Sequence, residues 1–193
     1  MGTSPAFAIY EASLGGKWLE LLSEIAPGLK RAAFMFNPDF AGSVFMPSLE
    51  MAARSLKVVL ITAPVHDDVE IETAIIALGR EAGGGGLVVM GDVFTVAHRA
   101  SIISAAARNN VPAVYGASKV ARDGGLLSYG TDQVDTYRRA AGYVDRILRG
   151  EKPGDLPVQF PTKFEMVLNL KTAKALGLEV PLSIRLRVDE VIE

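Results

Sequence analysis

The chain repeats a pattern in which a short apolar run, typical of a buried strand, is followed by a turn and the start of a helix. The first instance is Arg31–Phe36, which the dipeptide Asn37-Pro38 ends. A run this hydrophobic predicts a strand that is buried on both faces, as in a parallel sheet. In open α/β sheets, ligands bind where strands end and helices begin. The repeat therefore indicates where a functional site lies.

Four further apolar runs predict strands of the same sheet, at residues 57–63, 87–90, 111–115 and 126–129. Helical patterns separate most of them, and this alternation predicts an α/β fold with a doubly wound parallel sheet of about five strands. Residues 83–86 are all glycine and are expected to form a flexible loop. They precede a strand, whereas a phosphate-binding glycine loop follows one.

The pattern changes after Gly130. Asp132 starts a predicted long helix that runs to Arg149 with an apolar stripe, and a proline-rich loop follows it. A strand over residues 164–168 and a short helix over 171–176 complete the chain. We therefore expect four segments: a first helix within 1–30, an α/β domain over 31–130, the helix and proline-rich segment over 131–163, and a strand and helix over 164–193.

The first helix carries Trp18 at helical spacing with Leu14, Leu21, Leu22 and Ile25. We interpret Trp18 as a core residue, because an aromatic side chain that contacts a ligand usually lies on a loop. Asp67, with Glu70 three residues later, predicts the start of another helix through a near capping box.

Composition excludes several functional classes. The 193 residues carry a net charge of −2, which gives no electrostatic basis for binding nucleic acid or an anionic membrane. The absence of cysteine excludes disulfides and thiolate metal sites. The two histidines, His66 and His98, are expected to be solvated, so we predict no metal and no cofactor. The first residues lack a basic segment followed by an apolar run, so no signal peptide is expected in this chain.

Three polar residues follow predicted strands and are the candidate site residues: Asn37, Ser43 and Asp92. A carboxylate at the position of Asp92 can meet a ligand amine, or it can cap the next helix. Asn37 can stabilise the turn before its proline, and Ser43 can be a helix N-cap. Because all three follow strands of one sheet, they support each other as a site. No nucleophile motif of the Gly-x-Ser-x-Gly type is present, and we expect no enzymatic activity.

Eight motifs, taken in order across nearly the whole chain, resemble the substrate-binding proteins of ABC importers, in the group that includes tryptophan- and tyrosine-binding members. No single motif is specific, but their order and spacing are. They are Glu11-x-Ser13-x4-Trp18-Leu-Glu-Leu-Leu-x-Glu-Ile-Ala-Pro27, Phe36-Asn37-Pro38, Ala63-Pro64-Val65-His66-Asp67, Val111-Pro-Ala-Val-Tyr115, Gly124-Gly-Leu-Leu-Ser-Tyr-Gly130, Ile147-Leu-Arg-Gly-Glu-Lys-Pro153, Leu156-Pro-Val-Gln159 and Asn169-Leu-Lys-Thr-Ala-Lys-Ala-Leu-Gly177.

The resemblance implies a type I periplasmic binding protein fold that lacks most of its first lobe. Two such lobes close on a small solute, and a membrane permease recognises the closed form. Three parts of this chain correspond to the family's ligand-contact positions. They are the loop 37–43 with Asn37, Phe40, Ala41 and Ser43, the residue Asp92, and the pair Tyr115-Gly116. The solute is expected to be an amino acid or a related carboxylate. The chain departs from the family at Ala117-Ser118-Lys119, which leaves the ligand class open.

The resemblance also implies a periplasmic protein with an ABC permease as its partner. Without the missing lobe, apolar surface on the helix 132–149 and on the helix with Trp18 is expected to be exposed. Copies of the chain are expected to associate through this surface. Two alternatives stay open: a flavodoxin-like enzyme or regulatory domain that uses Asp92, and a truncated remnant that folds but binds nothing.

Overall fold

A computed structural model describes residues 11–40, 42–80 and 84–193. The described strands are β1 (Arg31–Phe36), β2 (Val59–Pro64), β3 (Gly85–Val89), β4 (Ala113–Tyr115), β5 (Leu127–Thr131), β6 (Phe164–Asn169) and β7 (Glu190–Ile192). They form one sheet in the order β2-β1-β3-β4-β5-β6-β7. The α/β class is therefore confirmed, and the sheet is larger than the expected five strands because β6 and β7 extend it beyond β5.

The described helices are α1 (Leu14–Ile25), α2 (Met46–Leu56), α3 (Asp68–Gly79), α4 (Val93–Ala97), α5 (Arg99–Arg108), α6 (Ser118–Arg122), α7 (Gln133–Leu148), α8 (Leu170–Ala175) and α9 (Leu182–Arg185). Short 3-10 helices cover Gly42–Phe45 and Pro153–Asp155. In the part of the chain that the structure describes, no helix combines the length and the apolar character needed to cross a bilayer.

The first five strands pair in parallel, as do β6 and β7. β6 joins the sheet differently: the N–H of Asn169, its last residue, donates to the carbonyl of Leu126, just before β5 begins (2.9 Å). The end of β6 therefore lies beside the beginning of β5. Parallel pairing places the carboxyl ends of β1 to β5 along one edge, which we call the carboxyl edge.

The expectation of a glycine loop over residues 83–86 is wrong for its second half. Gly85 and Gly86 begin β3 and pair with Arg31 and Ala32 of β1. A Cβ on Gly85 would lie 2.9 Å from the side chain of Leu78 in α3, and one on Gly86 would lie 2.9 Å from that of Leu22 in α1. These glycines allow helices to pack closely on both faces of the sheet, a requirement that periodicity does not reveal.

The core confirms the interpretation of Trp18. Its side chain is buried, and its ring centroid lies 4.9 Å from that of Phe45. The indole Nε1–H donates to the carbonyl of Tyr129 in β5 (2.6 Å). The opposite face of the sheet packs against α3 and α5 in a second cluster that includes Met35, Ile71 and Val89.

The helix-start prediction at Asp67 is confirmed in part. Asp67 caps α3 by accepting from the N–H of Glu70 (2.8 Å). The carboxylate of Glu70 does not return the bond to Asp67. It accepts instead from the backbone and ring nitrogens of His66 (2.7 and 3.0 Å).

The chain divides into two compact units. Of the described residues, those within 12–130 and 165–193 form the sheet unit, and Glu11 with residues 131–164 forms the helical unit. In the helical unit, Asp132 caps α7 by accepting from the N–H of Asp135 (3.0 Å). The hydroxyl of Tyr143 donates to the carbonyl of Pro157 (2.7 Å) and so ties α7 to the proline-rich loop. The apolar stripe predicted for α7 is largely exposed at Val134, Tyr137, Val144 and Leu148.

Candidate functional site

Asn37 joins the ends of three strands at the carboxyl edge. It is buried immediately after β1, where Pro38 prevents the strand from continuing. Its side-chain Nδ2 donates to the carbonyl of Val65, just beyond β2 (3.0 Å), and its backbone N–H donates to Asp92 Oδ2, beyond β3 (3.2 Å). Asn37 therefore holds the ends of β1, β2 and β3 in a fixed arrangement.

Asp92 is the N-cap of α4 and is fully buried. Its Oδ1 accepts from the N–H of Thr95 (2.7 Å), while its Oδ2 accepts from Asn37. The hydroxyl of Thr95 in turn donates to the carbonyl of Met90 (2.5 Å). Of the two roles that the sequence left open for Asp92, the structure shows the cap. Contact with a ligand amine stays a prediction for this residue.

Three glycines allow the ends of β3, β4 and β5 to approach one another. A Cβ on Gly91 would lie 2.9 Å from the carbonyl of Gly116, and a Cβ on Gly116 would lie 2.7 Å from the nitrogen of Gly91. A Cβ on Gly130 would also collide with the carbonyl of Gly116. No side chain therefore fits between these strand ends, and Gly116 contributes its backbone to the carboxyl edge.

The loop after β1 presents side chains to solvent. Phe40 is 37% exposed, and Ser43 is exposed within the 3-10 helix Gly42–Phe45. The possibility that Ser43 caps α2 is wrong, because that helix begins at Met46 with Phe45 in the cap position. Ala41 lies outside the described residues.

Tyr115 differs from the other candidates, because its side chain belongs to the core. It is 2% exposed and lies in the cluster on the α3 and α5 face. A Cβ on Gly125 would lie 2.6 Å from its ring, so the ring is packed directly against that backbone. Burial raises the pKa of the Tyr115 hydroxyl above its ordinary value, because the charged phenolate is disfavoured away from water.

The raised pKa of Tyr115 predicts an alkaline loss of stability. The stability that the neutral, buried Tyr115 contributes is fully present below about pH 10, the ordinary tyrosine pKa. It is lost as pH rises from there toward the folded-state pKa, because the unfolded chain releases the proton first. At about pH 11 the expected loss is roughly 1.4 kcal/mol. Urea unfolding at about pH 8 and about pH 11 should show this loss in the natural chain and not in Tyr115→Phe. Equal losses in both proteins would contradict the assignment.

One polar residue at the carboxyl edge was missed as a candidate. The carboxylate of Asp39 is exposed, and its backbone N–H donates to Asn37 Oδ1 (3.0 Å). Its position inside the loop 37–43 is the signal that could have singled it out. The sequence pattern favours Asp92 because it follows a buried strand. A solute, however, can reach the exposed carboxylate of Asp39 more directly.

The structure offers no built metal site: within the described ranges, no three His, Cys, Asp or Glu side chains are grouped to hold an ion. The histidines pair with carboxylates instead. His66 Nδ1 lies 3.0 Å from Glu70, and His98 Nδ1 lies 2.9 Å from Asp68 while its ring stacks on Phe94. Asp68 has a lowered pKa, chiefly because His98 and then Ser101 hydrogen-bond to its carboxylate.

The chain is similar to a curated "Tyrosine-binding protein" of Clostridioides difficile (strain R20291), with 24% identity over 164 residues. This match covers 84% of the chain and 47% of the relative, so the chain spans about half the length of that protein.

Solved structures with the same fold include a conserved domain protein from Vibrio cholerae, with a TM-score of 0.84 and 24% identity over 97% of this chain and 62% of that one. Another is an ABC domain in complex with L-Trp from Streptococcus pneumonia, with a TM-score of 0.82 and 22% identity over 92% of this chain and 60% of that one. These neighbours confirm the type I periplasmic binding protein fold. The family model described as "ABC transporter substrate binding protein" matches residues 9–192, and the chain therefore belongs to that family.

Proposed function

We propose that this chain is the solute-binding part of an ABC importer and that it holds an amino acid or a related carboxylate at its carboxyl edge. The observation that carries the proposal is the pair of bonds from Asn37 to Val65 and to Asp92, which fixes three strand ends beneath an exposed loop. The names of two similar proteins, one tyrosine-binding and one in complex with L-Trp, support an amino acid as the solute.

We assign different roles to the residues of this site. Phe40 and Ser43 are exposed and lie on the loop, so they are placed to contact the solute directly, together with the backbone of Gly116. Asn37 and Asp92 lie beneath them and hold the loop in position. The exposed carboxylate of Asp39 is the group that we propose for the solute ammonium, since both oxygens of Asp92 already accept backbone N–H groups.

In the whole protein, we propose that the sheet unit is part of the second lobe and that residues 131–164 belong to the first. The complete clamp would be periplasmic and would deliver its solute to an ABC permease. Half of a clamp supplies about half of the contacts, so we expect this chain alone to bind in roughly the millimolar range if the whole protein binds in the micromolar range.

Two alternative functions make different demands on the carboxyl edge. A flavodoxin-like enzyme or regulator would need an accessible carboxylate at a strand end, and full burial of Asp92 argues against its use as a phosphoacceptor. A remnant that folds without binding is distinguished by experiment, because it would show no solute-dependent change at the carboxyl edge.

Titration of the isotope-labelled chain with L-Tyr and L-Trp, followed by amide NMR, is suited to weak binding. We expect shifts at Gly91, Gly116 and the loop 37–43. Asp39→Asn should weaken binding about tenfold to a hundredfold, because a hydrogen bond to a charged group contributes about 1.5–3 kcal/mol. The matched control is Asp155→Asn, an exposed aspartate of the helical unit, which should change nothing. Shifts elsewhere, or equal affinity in both variants, would contradict the proposed site.

A further inference from the structure

Among the strands that the structure describes, the outer strand β2 has one edge without a partner strand. It is the first strand in the sheet order and pairs only with β1 among the described strands. The N–H groups of Val59 and Val65 donate toward β1, to Lys30 and Phe36 (2.8 and 3.0 Å). Since backbone groups alternate along a strand, those of Leu60 and Thr62 point outward.

The exposed edge is apolar and has no charged residue within it. Val59 is 55% exposed and Ile61 is 37% exposed, although both lie in a strand of the sheet. Proteins usually protect a bare edge with charge, proline or a bulge, because it pairs readily with another strand. Within β2 this protection is confined to the last residue, Pro64, and no described strand covers the outer edge of the segment from Val59 to Thr62.

The edge is complementary to itself in one antiparallel register. When Ile61 of one copy lies opposite Ile61 of the other, Leu60 faces Thr62 across the two-fold axis, and each such pair exchanges two N–H···O bonds. The ladder then ends where Pro64 faces Val58. Pro64 has no N–H, and the N–H of Val58 already donates to Ala53 (3.0 Å), so this register leaves no outward donor of β2 without an acceptor.

Charge supports the same register. The segment before β2 is basic, with Arg54 in the last turn of α2 and Lys57 just after that helix. Both are exposed and, within the described residues, have no ion-pair partner. The segment after β2 is acidic, with Asp67, Asp68 and Glu70 exposed. An antiparallel two-fold arrangement places the basic segment before β2 of each copy beside the acidic segment after β2 of the other. A parallel arrangement would place like charges together.

We propose that β2 is a homodimer interface, at which two copies of this chain pair antiparallel about Ile61 and continue the sheet from one copy into the next. This interface is separate from the solute site, and its test does not depend on solute binding. It also differs from association through α7, which lies in the helical unit.

The natural chain contains no cysteine, so single cysteines give a direct test of the register. Directly opposed residues of a non-hydrogen-bonded pair have Cα atoms about 4.5 Å apart, within the range that a disulfide spans. Under mild oxidation, Ile61→Cys should form at least about tenfold more covalent dimer than Val59→Cys, whose equivalent positions would lie roughly 13 Å apart. Equal yields, or more dimer from Val59→Cys, would overturn the proposal.

Light scattering provides an independent test. Thr62→Pro removes an outward N–H and keeps the bonds from β2 to β1, so it should weaken the dimer at least about a hundredfold while the circular dichroism stays that of the natural chain. Leu148→Lys on α7 is the control and should leave the dimer intact. If the Thr62→Pro variant were dimeric while the Leu148→Lys variant were monomeric, the interface would lie on α7 and the proposal would be overturned. A natural chain that is monomeric at high concentration would also overturn it. If Thr62→Pro does not fold, the cysteine comparison decides.

Discussion

Replacing Trp18 by alanine should lower the free energy of unfolding of the sheet unit by about 3–5 kcal/mol. The change removes the largest fully buried side chain and leaves a cavity against Phe45. It also leaves the carbonyl of Tyr129 without the indole donor that approaches to 2.6 Å. Urea unfolding followed by far-UV circular dichroism measures the loss.

Two controls separate the contributions of Trp18. Trp18→Phe keeps most of the ring packing and removes the bond to Tyr129, so its cost should lie between those of the natural chain and the alanine variant. Tyr137→Ala removes an aromatic side chain that is 73% exposed on α7, and it should change stability by less than about 0.5 kcal/mol. A loss at Trp18→Ala no larger than that at Tyr137→Ala would mean that Trp18 is not a core residue.

The second large effect is expected at Asp92. Asp92→Ala leaves the N–H groups of Asn37 and Thr95 without their acceptor in a buried site, and each such group costs about 1–3 kcal/mol. The expected total loss for the two groups is therefore about 2–6 kcal/mol. Asp92→Asn should cost less, because one amide oxygen can keep one of the two bonds and its NH₂ group cannot accept the other.

Asp67 provides a matched control for the second prediction. It is also a helix N-cap, but it is exposed and accepts from one described backbone group, the N–H of Glu70. Asp67→Asn keeps that acceptor, so its cost should be a few tenths of a kcal/mol. Chemical denaturation of the variants tests the comparison. If Asp92→Asn were as harmless as Asp67→Asn while solute binding fell, Asp92 would contact the solute and would not be mainly a structural residue.

The sequence predicted most of the fold because the relevant signals are local. The run Arg31–Phe36 forms a buried strand as expected, and Asp132 caps the long helix that its periodicity predicted. Prediction from the sequence failed where a contact between residues distant in the chain decides the conformation. Gly85 and Gly86 have the composition of a loop, but the approach of α3 and α1 to the two faces of β3 places them in a strand.

The candidate site shows the same division. The sequence by itself determined that polar residues follow strands that share one sheet, and thus that Asn37 and Asp92 lie at one edge. Only the tertiary structure decided their roles, because burial and hydrogen bonding depend on which strand ends meet. Asp92 is enclosed between the ends of β1 and β3 and becomes a cap, Tyr115 turns into the core, and Asp39 keeps its carboxylate in solvent.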